Sequence, residues 1–230
     1  MDGAIRYLLE REKLKPSDFA WAWAFPPLSF SQIFKLRGNL VPFMLSKQEA
    51  LRLLGEQVSR KDKRRHMIAV SAIMRGLAKR LHADEREWEL VGLLHDIDWD
   101  KIEGDMSRHG LVASEMLEGK LSEEDLHAIR AHDHRSGIKP ESVLDRALIA
   151  SDAISNFIAA TAAVMPNRRL SQITVDTLKD KFKDESFTYL KHRPYLRNLI
   201  RLCEEIGLPL QEFFYLALQS LQEVSNELGL

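Results

Sequence analysis

The strongest constraint in this chain is a polar doublet set inside an apolar run, Leu93-Leu94-His95-Asp96-Ile97-Asp98. Flanked in this way, His95 and Asp96 are expected to face a core. An ionised carboxylate buried there without a partner costs several kcal/mol or more, so a cation has to be folded in with it. Further imidazoles and carboxylates follow in order: His66 before the doublet, then His109, His132 and Asp152 after it. Imidazole nitrogens and carboxylate oxygens are the donors that hold first-row divalent metals. The ordered set therefore points to a metal site and to hydrolytic chemistry.

The surrounding sequence is helical almost throughout, with no alternating strand pattern, internal repeat, glycine-rich phosphate loop or low-complexity tract. Ser46 with Glu49 three residues later forms a capping box ahead of Ala50, Leu51, Leu54 and Val58. A second helix is predicted over 62–82, where Val70, Ile73, Leu77 and Leu81 recur at helical steps and His66 joins their stripe. A third spans 84–97, started by Asp84. Ser107 is expected to cap a helix through Leu117, and Ser122 another through His132, with acidic residues at its N-terminus. After the break at Gly137 and Pro140, a long apolar helix runs from Ser142 to Val164. Three or four more fill 171–228, the last running from Leu210 to Leu228. The fold class is all-α.

These positions allow the ligands to meet. The helices over 62–82 and 84–97 are joined by a short turn and form an antiparallel hairpin. At about 1.5 Å rise per residue, His66 and His95 then differ in axial height by roughly 7–8 Å, which two imidazoles can bridge. Asp96 points roughly 100° away from His95 on a helix, and Asp152 closes the site from a third element.

The chain has 230 residues, enough for one large or two small domains, with 45% hydrophobic residues and a net charge of −1. Near-neutral charge gives no general attraction for polymeric nucleic acid. The basic clusters Lys61 to Arg65 and Arg168-Arg169 read as decoration of a helix and a loop. A single cysteine, Cys203, rules out an intrachain disulfide and fits a reducing cytoplasm. No secretory signal is visible, and the greasiest stretch, Phe19 to Phe34, is interrupted by Pro26-Pro27 and too short for a usual membrane span. Residues 1–45, with Phe19, Trp21, Trp23, Phe25, Phe30 and Phe34, read as an aromatic-rich N-terminal extension to a domain over 46–230. Three roles stay open for it: packing on that domain, contacting a partner or membrane surface, or preceding an ancestral start at Met44.

At Arg65-His66-Met67, Gly92-Leu93-Leu94-His95-Asp96-Ile97-Asp98, Arg108-His109-Gly110, Ala131-His132-Asp133 and Ala150-Ser151-Asp152-Ala153 the chain resembles the HD-domain superfamily of metal-dependent phosphohydrolases. Segments 176–187 and 203–213 resemble a small subgroup of predicted HDIG-type hydrolases, so the likeness covers roughly 45–225. It implies a helical bundle with a metal site between helices, in which His66, His95, Asp96 and Asp152 hold one divalent ion (Fe, Mn, Ni or Zn). By the same likeness His109 and His132 hold a second ion. Asp96 bridges the pair and is the catalytic residue.

Other polar residues have plainer readings. His82, His127, His134 and His192 are structural or solvent-facing, with His134 near enough to His132 to contact substrate. Asp133 is an extra ligand or an acceptor that orients an imidazole, whereas Asp98 and Asp100 cap the exit of the third helix, with general-base assistance the alternative. Lys101, Arg135 and Arg146 are either phosphate contacts or surface charges. Cyclic-dinucleotide phosphodiesterases of the superfamily typically read His-Asp-Ile-Gly-Lys, where this chain has Asp98 and Trp99, and alarmone hydrolases carry an acidic pair matched only by Asp100. Both activities are disfavoured. The expectation is a phosphohydrolase acting on a small phosphomonoester or phosphodiester, nucleotides included. The rival is a metal-containing module on the same scaffold that senses a nucleotide or binds a protein without turnover.

Overall fold

The structure, a computed structural model, describes residues 45–184 and 194–230. The proposed extension over 1–45 lies outside them except for Leu45, as does His192. Among the described residues there are eleven α-helices and no strand. They are α1 Lys47–Gln57, α2 Lys61–Leu81, α3 Glu85–Leu94, α4 Leu111–Leu117, α5 Glu123–Ala131, α6 Val143–Val164, α7 Val175–Lys183, α8 Pro194–Arg197, α9 Leu199–Glu205, α10 Leu210–Glu223 and α11 Ser225–Leu228. The all-α expectation holds.

Local chemistry sets most boundaries. Ser46 and Glu49 form the predicted capping box at α1, with Ser46 N–H donating to Glu49 Oε2 at 2.8 Å. Ser122 and Asp125 do the same for α5, and Ser142 and Asp145 for α6. Asp84 accepts from the backbone of Arg86 and Glu87 to open α3. Three limits differ from expectation, one of them at the end of α3 (below). Ser107 donates its hydroxyl to Asp105, and α4 starts only at Leu111, because Asp98 rather than Ser107 satisfies its first N–H groups (below). The predicted 210–228 helix breaks at Val224; the change of direction lets Leu228 reach the core at 5% exposure.

The longest helices, α2 and α6, pack together at the centre. α3 lies antiparallel along α2, α1 covers α3, and α5, α8, α9 and α10 surround α6. By length and composition α6 is apolar enough to cross a membrane, yet Leu144, Leu148, Ile154, Phe157 and Ile158 are buried in this bundle, so it serves here as the core helix. The α2–α3 crossing depends on Gly92, where a Cβ would lie 2.9 Å from Ser71 Cα. That close approach brings the start of α2 beside the end of α3, where His66 and His95 stand.

Candidate metal centre

α2 supplies His66 one turn inside its start, and α3 ends at Leu94 with His95 as its C-cap residue. The predicted helix to 97 is therefore shorter: Ile97 N–H and Trp99 N–H close tight i−3 turns onto Leu94 and Asp96. His109 precedes α4, His132 caps the end of α5, and Asp152 sits midway along α6.

All six predicted ligands come together. Asp96 is central: its Oδ1 lies 2.9 Å from His109 Nε2, 3.3 Å from His95 Nε2 and 3.4 Å from His132 Nε2. Its Oδ2 lies 3.8 Å from His66 Nε2, which in turn is 3.0 Å from Asp152 Oδ1. Two groups have donor atoms within 4.8 Å of one another: His66, His95 and Asp96, and Asp96, His109 and His132. Asp152 belongs to neither tight group but stands against His66, held by Asn156 Nδ2 at 3.1 Å.

The ring orientations carry the metal assignment. His95 Nδ1 donates to Gly92 O at 2.9 Å and His132 Nδ1 to Ile129 O at 2.6 Å. His109 Nδ1 donates to Asp98 Oδ1 at 2.9 Å. His66 Nδ1 lies 3.3 Å from Ser155 Oγ, whose own hydrogen goes to Asp152 O. Each ring thus commits Nδ1 to an anchor behind it and turns Nε2 toward Asp96 and Asp152. This is how outer hydrogen bonds fix the tautomer of metal-ligating imidazoles. His95 Nε2 is buried and has no hydrogen-bond partner, a cost that a bound cation removes. The residues present fit one or two divalent ions.

The electrostatics of His95 and of the carboxylates agree, while those of His109 favour a proton that a metal would displace. Burial pushes the His95 imidazole down to about 4, only partly opposed by Asp96. For His109, burial opposes the charge, yet the bonds to Asp96 and Asp98 prevail and raise it to about 10. Burial also works against the Asp152 carboxylate, but His66 holds it down at about 2. Asp96 is held well below the usual carboxylate range, where the surrounding histidines overcome its burial. The cluster keeps both carboxylates negative, as metal ligands must be.

Several expectations need correction. Asp98 does not cap the exit of α3. It is fully buried and accepts from Gly110 N–H at 2.8 Å and Ala113 N–H at 3.2 Å, as well as from His109. It therefore joins the candidate ligand His109 to the N-terminus of α4, a link the sequence spacing did not reveal. Gly110 permits the turn, with φ 79 and a would-be Cβ 2.6 Å from Ile129 O. Asp100 accepts from Ser59 N–H, outside the cluster. Asp133 orients none of the four candidate ligand imidazoles; it accepts from the backbone and guanidinium of Arg135 and lies 3.5 Å from His134 Nδ1. That commits Arg135, and Arg146 is committed to Glu205 and to Ser142 O. Lys101 is exposed. His127 pairs with Asp145, and His134 packs edge-on to Tyr195.

Two neighbours of the cluster were missed. Lys63, counted as helix decoration, reaches 3.7 Å from Asp96 Oδ2 and 3.1 Å from the centroid of a Trp99 ring. Trp99 meets His109 edge-on at 5.8 Å. The signal for Lys63 was its position one turn before His66 on the same helix face.

Comparison with known proteins agrees with this geometry. Residues 64–156 match the family model of the HD domain. Ribonuclease Y of Lawsonia intracellularis is 33% identical over 115 residues, which cover 46% of this chain and 21% of that protein. The chain thus spans about a fifth of the curated relative that it matches. No solved structure matches. All six convergent side chains lie inside the matched segment, so residues 64–156, which carry the cluster, are the part of the chain that is similar to the HD domain.

Proposed function

We propose that the chain is a metal-dependent phosphohydrolase acting on a small phosphomonoester or phosphodiester, with nucleotides the first substrates to test. The observation that supports this best is the turning of four imidazole Nε2 atoms onto the Asp96 and Asp152 carboxylates, each ring anchored from behind. His66, His95, Asp96 and Asp152 would hold one ion, and Asp96, His109 and His132 a second, supplying Lewis acidity toward water and a phosphoryl oxygen. The protein's share is positional. Gly92 O, Asp98, Ile129 O and Ser155 fix the ring angles, Asn156 steadies Asp152, and Asp96 is the shared carboxylate of both groups, its catalytic role in this reading. Burial of His95, Asp96, His109 and His132 keeps bulk water from competing for these positions.

The likeness to Ribonuclease Y, a protein whose name describes action on RNA, supports phosphoester chemistry in general. The near-neutral charge favours a small substrate over a polymer, and the lone buried Cys203 suits a cytoplasmic setting.

The test is the full chain loaded separately with Mn, Fe, Ni or Zn. The panel is p-nitrophenyl phosphate, bis-p-nitrophenyl phosphate, nucleoside mono- and diphosphates, cyclic nucleotides and a short RNA. We expect turnover of at least one ester, reduced about a hundredfold or more in Asp152→Ala, and metal content lost in His95→Ala and Asp96→Ala. Bound metal without turnover of any ester would leave the sensing or protein-binding module as the better reading. Wild type that stays metal-free in Mn and Fe would end the site assignment.

A further inference from the structure

We propose that Lys63, laid across Trp99 at the edge of the metal cleft, is the cation that receives an anionic phosphoryl oxygen of the ligand. This deepens the phosphohydrolase reading and rests on it. Three observations converge on the lysine.

The first is its placement. Lysine side chains generally run into solvent, and ordering one costs rotamer entropy. Lys63 is instead only 21% exposed in its side chain. Its Nζ lies 3.1 Å from the Trp99 ring centroid and 3.7 Å from Asp96 Oδ2. An indole face attracts an ammonium while leaving its N–H donors free to turn elsewhere. Once the Asp96 oxygens are given to a metal, the ammonium keeps its aromatic seat and has donors to spare.

The second is charge. Asp96 and Asp152 together carry two negative charges, as many as one divalent ion carries positive, and Asp98 is a further buried carboxylate beside them. Lys63 supplies positive charge beside Asp96, near the more exposed members of the cluster, His66 and Asp152.

The third is the commitment of the alternatives. Arg135 is tied to Asp133 and Arg146 to Glu205. Among the described residues, Lys63 is the lysine or arginine that comes within ion-pair distance of Asp96. Trp99 is a positioning residue in this scheme: it acts through Lys63, and its edge contact with His109 ties the lysine's seat to the metal ligands.

The experiment uses the full chain and two probes, Mn²⁺ alone and inorganic phosphate, by titration calorimetry. Lys63→Met retains length and apolar contact with the indole. It should bind Mn²⁺ as tightly as wild type or more tightly, since a repelling charge is gone, while phosphate affinity of the Mn-loaded protein falls at least about tenfold. Lys63→Arg should recover most of that loss. Equal phosphate affinity in Mn-loaded wild type and Lys63→Met would overturn the proposal and leave the metal reading intact. Loss of Mn²⁺ from Lys63→Met would also overturn it, making the lysine a support of the metal site. Mn-loaded wild type that binds no phosphate would sink the proposal together with the phosphohydrolase reading.

Discussion

At the scale of single residues, the centre depends on what stands behind the ligands as much as on the ligands. Asp98 accepts from His109 Nδ1 and from two backbone N–H groups of the α4 entry. Asn at 98 retains the shape but loses the charge and one acceptor. Groups that orient metal-bound imidazoles typically change metal affinity by about 10–100-fold. Asp98→Asn is therefore expected to weaken the second ion by about that factor and to spare the first. Elemental analysis over a range of added metal checks this, with His132→Ala as the one-ion reference. Two tightly held ions in Asp98→Asn would show that α4, not the carboxylate, fixes His109.

At the scale of elements, two helix contacts can be tested independently of chemistry. The α2–α3 crossing has no room for a Cβ at Gly92, whose nearest neighbour is backbone, Ser71 Cα, and not a movable side chain. Gly92→Ala should therefore destabilise the fold by about 1–3 kcal/mol and weaken metal binding by parting His66 from His95, as read by urea unfolding and metal titration. Where α3 meets α5, Glu87 interacts with Asp125. Burial first, then the charge of Asp125, raises the Glu87 carboxyl from 4.5 to about 7. The folded state thus favours the protonated acid, and stability is lost as pH rises from about 4.5 to about 7. Glu87→Gln should unfold at higher temperature than wild type at pH 8, by about 1 kcal/mol once solvent screening of this half-exposed group is counted. The difference should vanish near pH 4. An equal gain at both pH values would assign the effect to packing instead.

At the scale of the whole molecule, the candidate ligands and their anchors all lie between Lys63 and Asn156, inside or one residue outside the matched HD segment. A chain beginning at residue 44 is expected to fold, retain its metal and keep most of its phosphoester turnover. Circular dichroism, metal content and the ester panel measure the three. A folded, metal-loaded truncation without turnover would instead assign the aromatic N-terminal residues to the substrate pocket.

What the sequence determined by itself was local or compositional. Capping boxes at Ser46, Ser122 and Ser142 act within four residues, and the stripe through Val70, Ile73 and Leu77 needs only helical periodicity. For these reasons the helices could be read without coordinates. Of the six candidate ligands, His95 and Asp96 were legible because polar groups in an apolar run demand a partner, and His66, His109, His132 and Asp152 because they stand in order at the positions of the HD-domain pattern. Tertiary structure alone decided which residues serve the ligands. Asp98 reads as a helix-end cap until the chain between α3 and α4 folds back to set it under His109. Lys63 reads as one charge in a basic run until Trp99, from a different element, comes to lie beneath it. Both roles depend on contacts between segments distant in sequence, and such contacts leave no periodic trace in the chain.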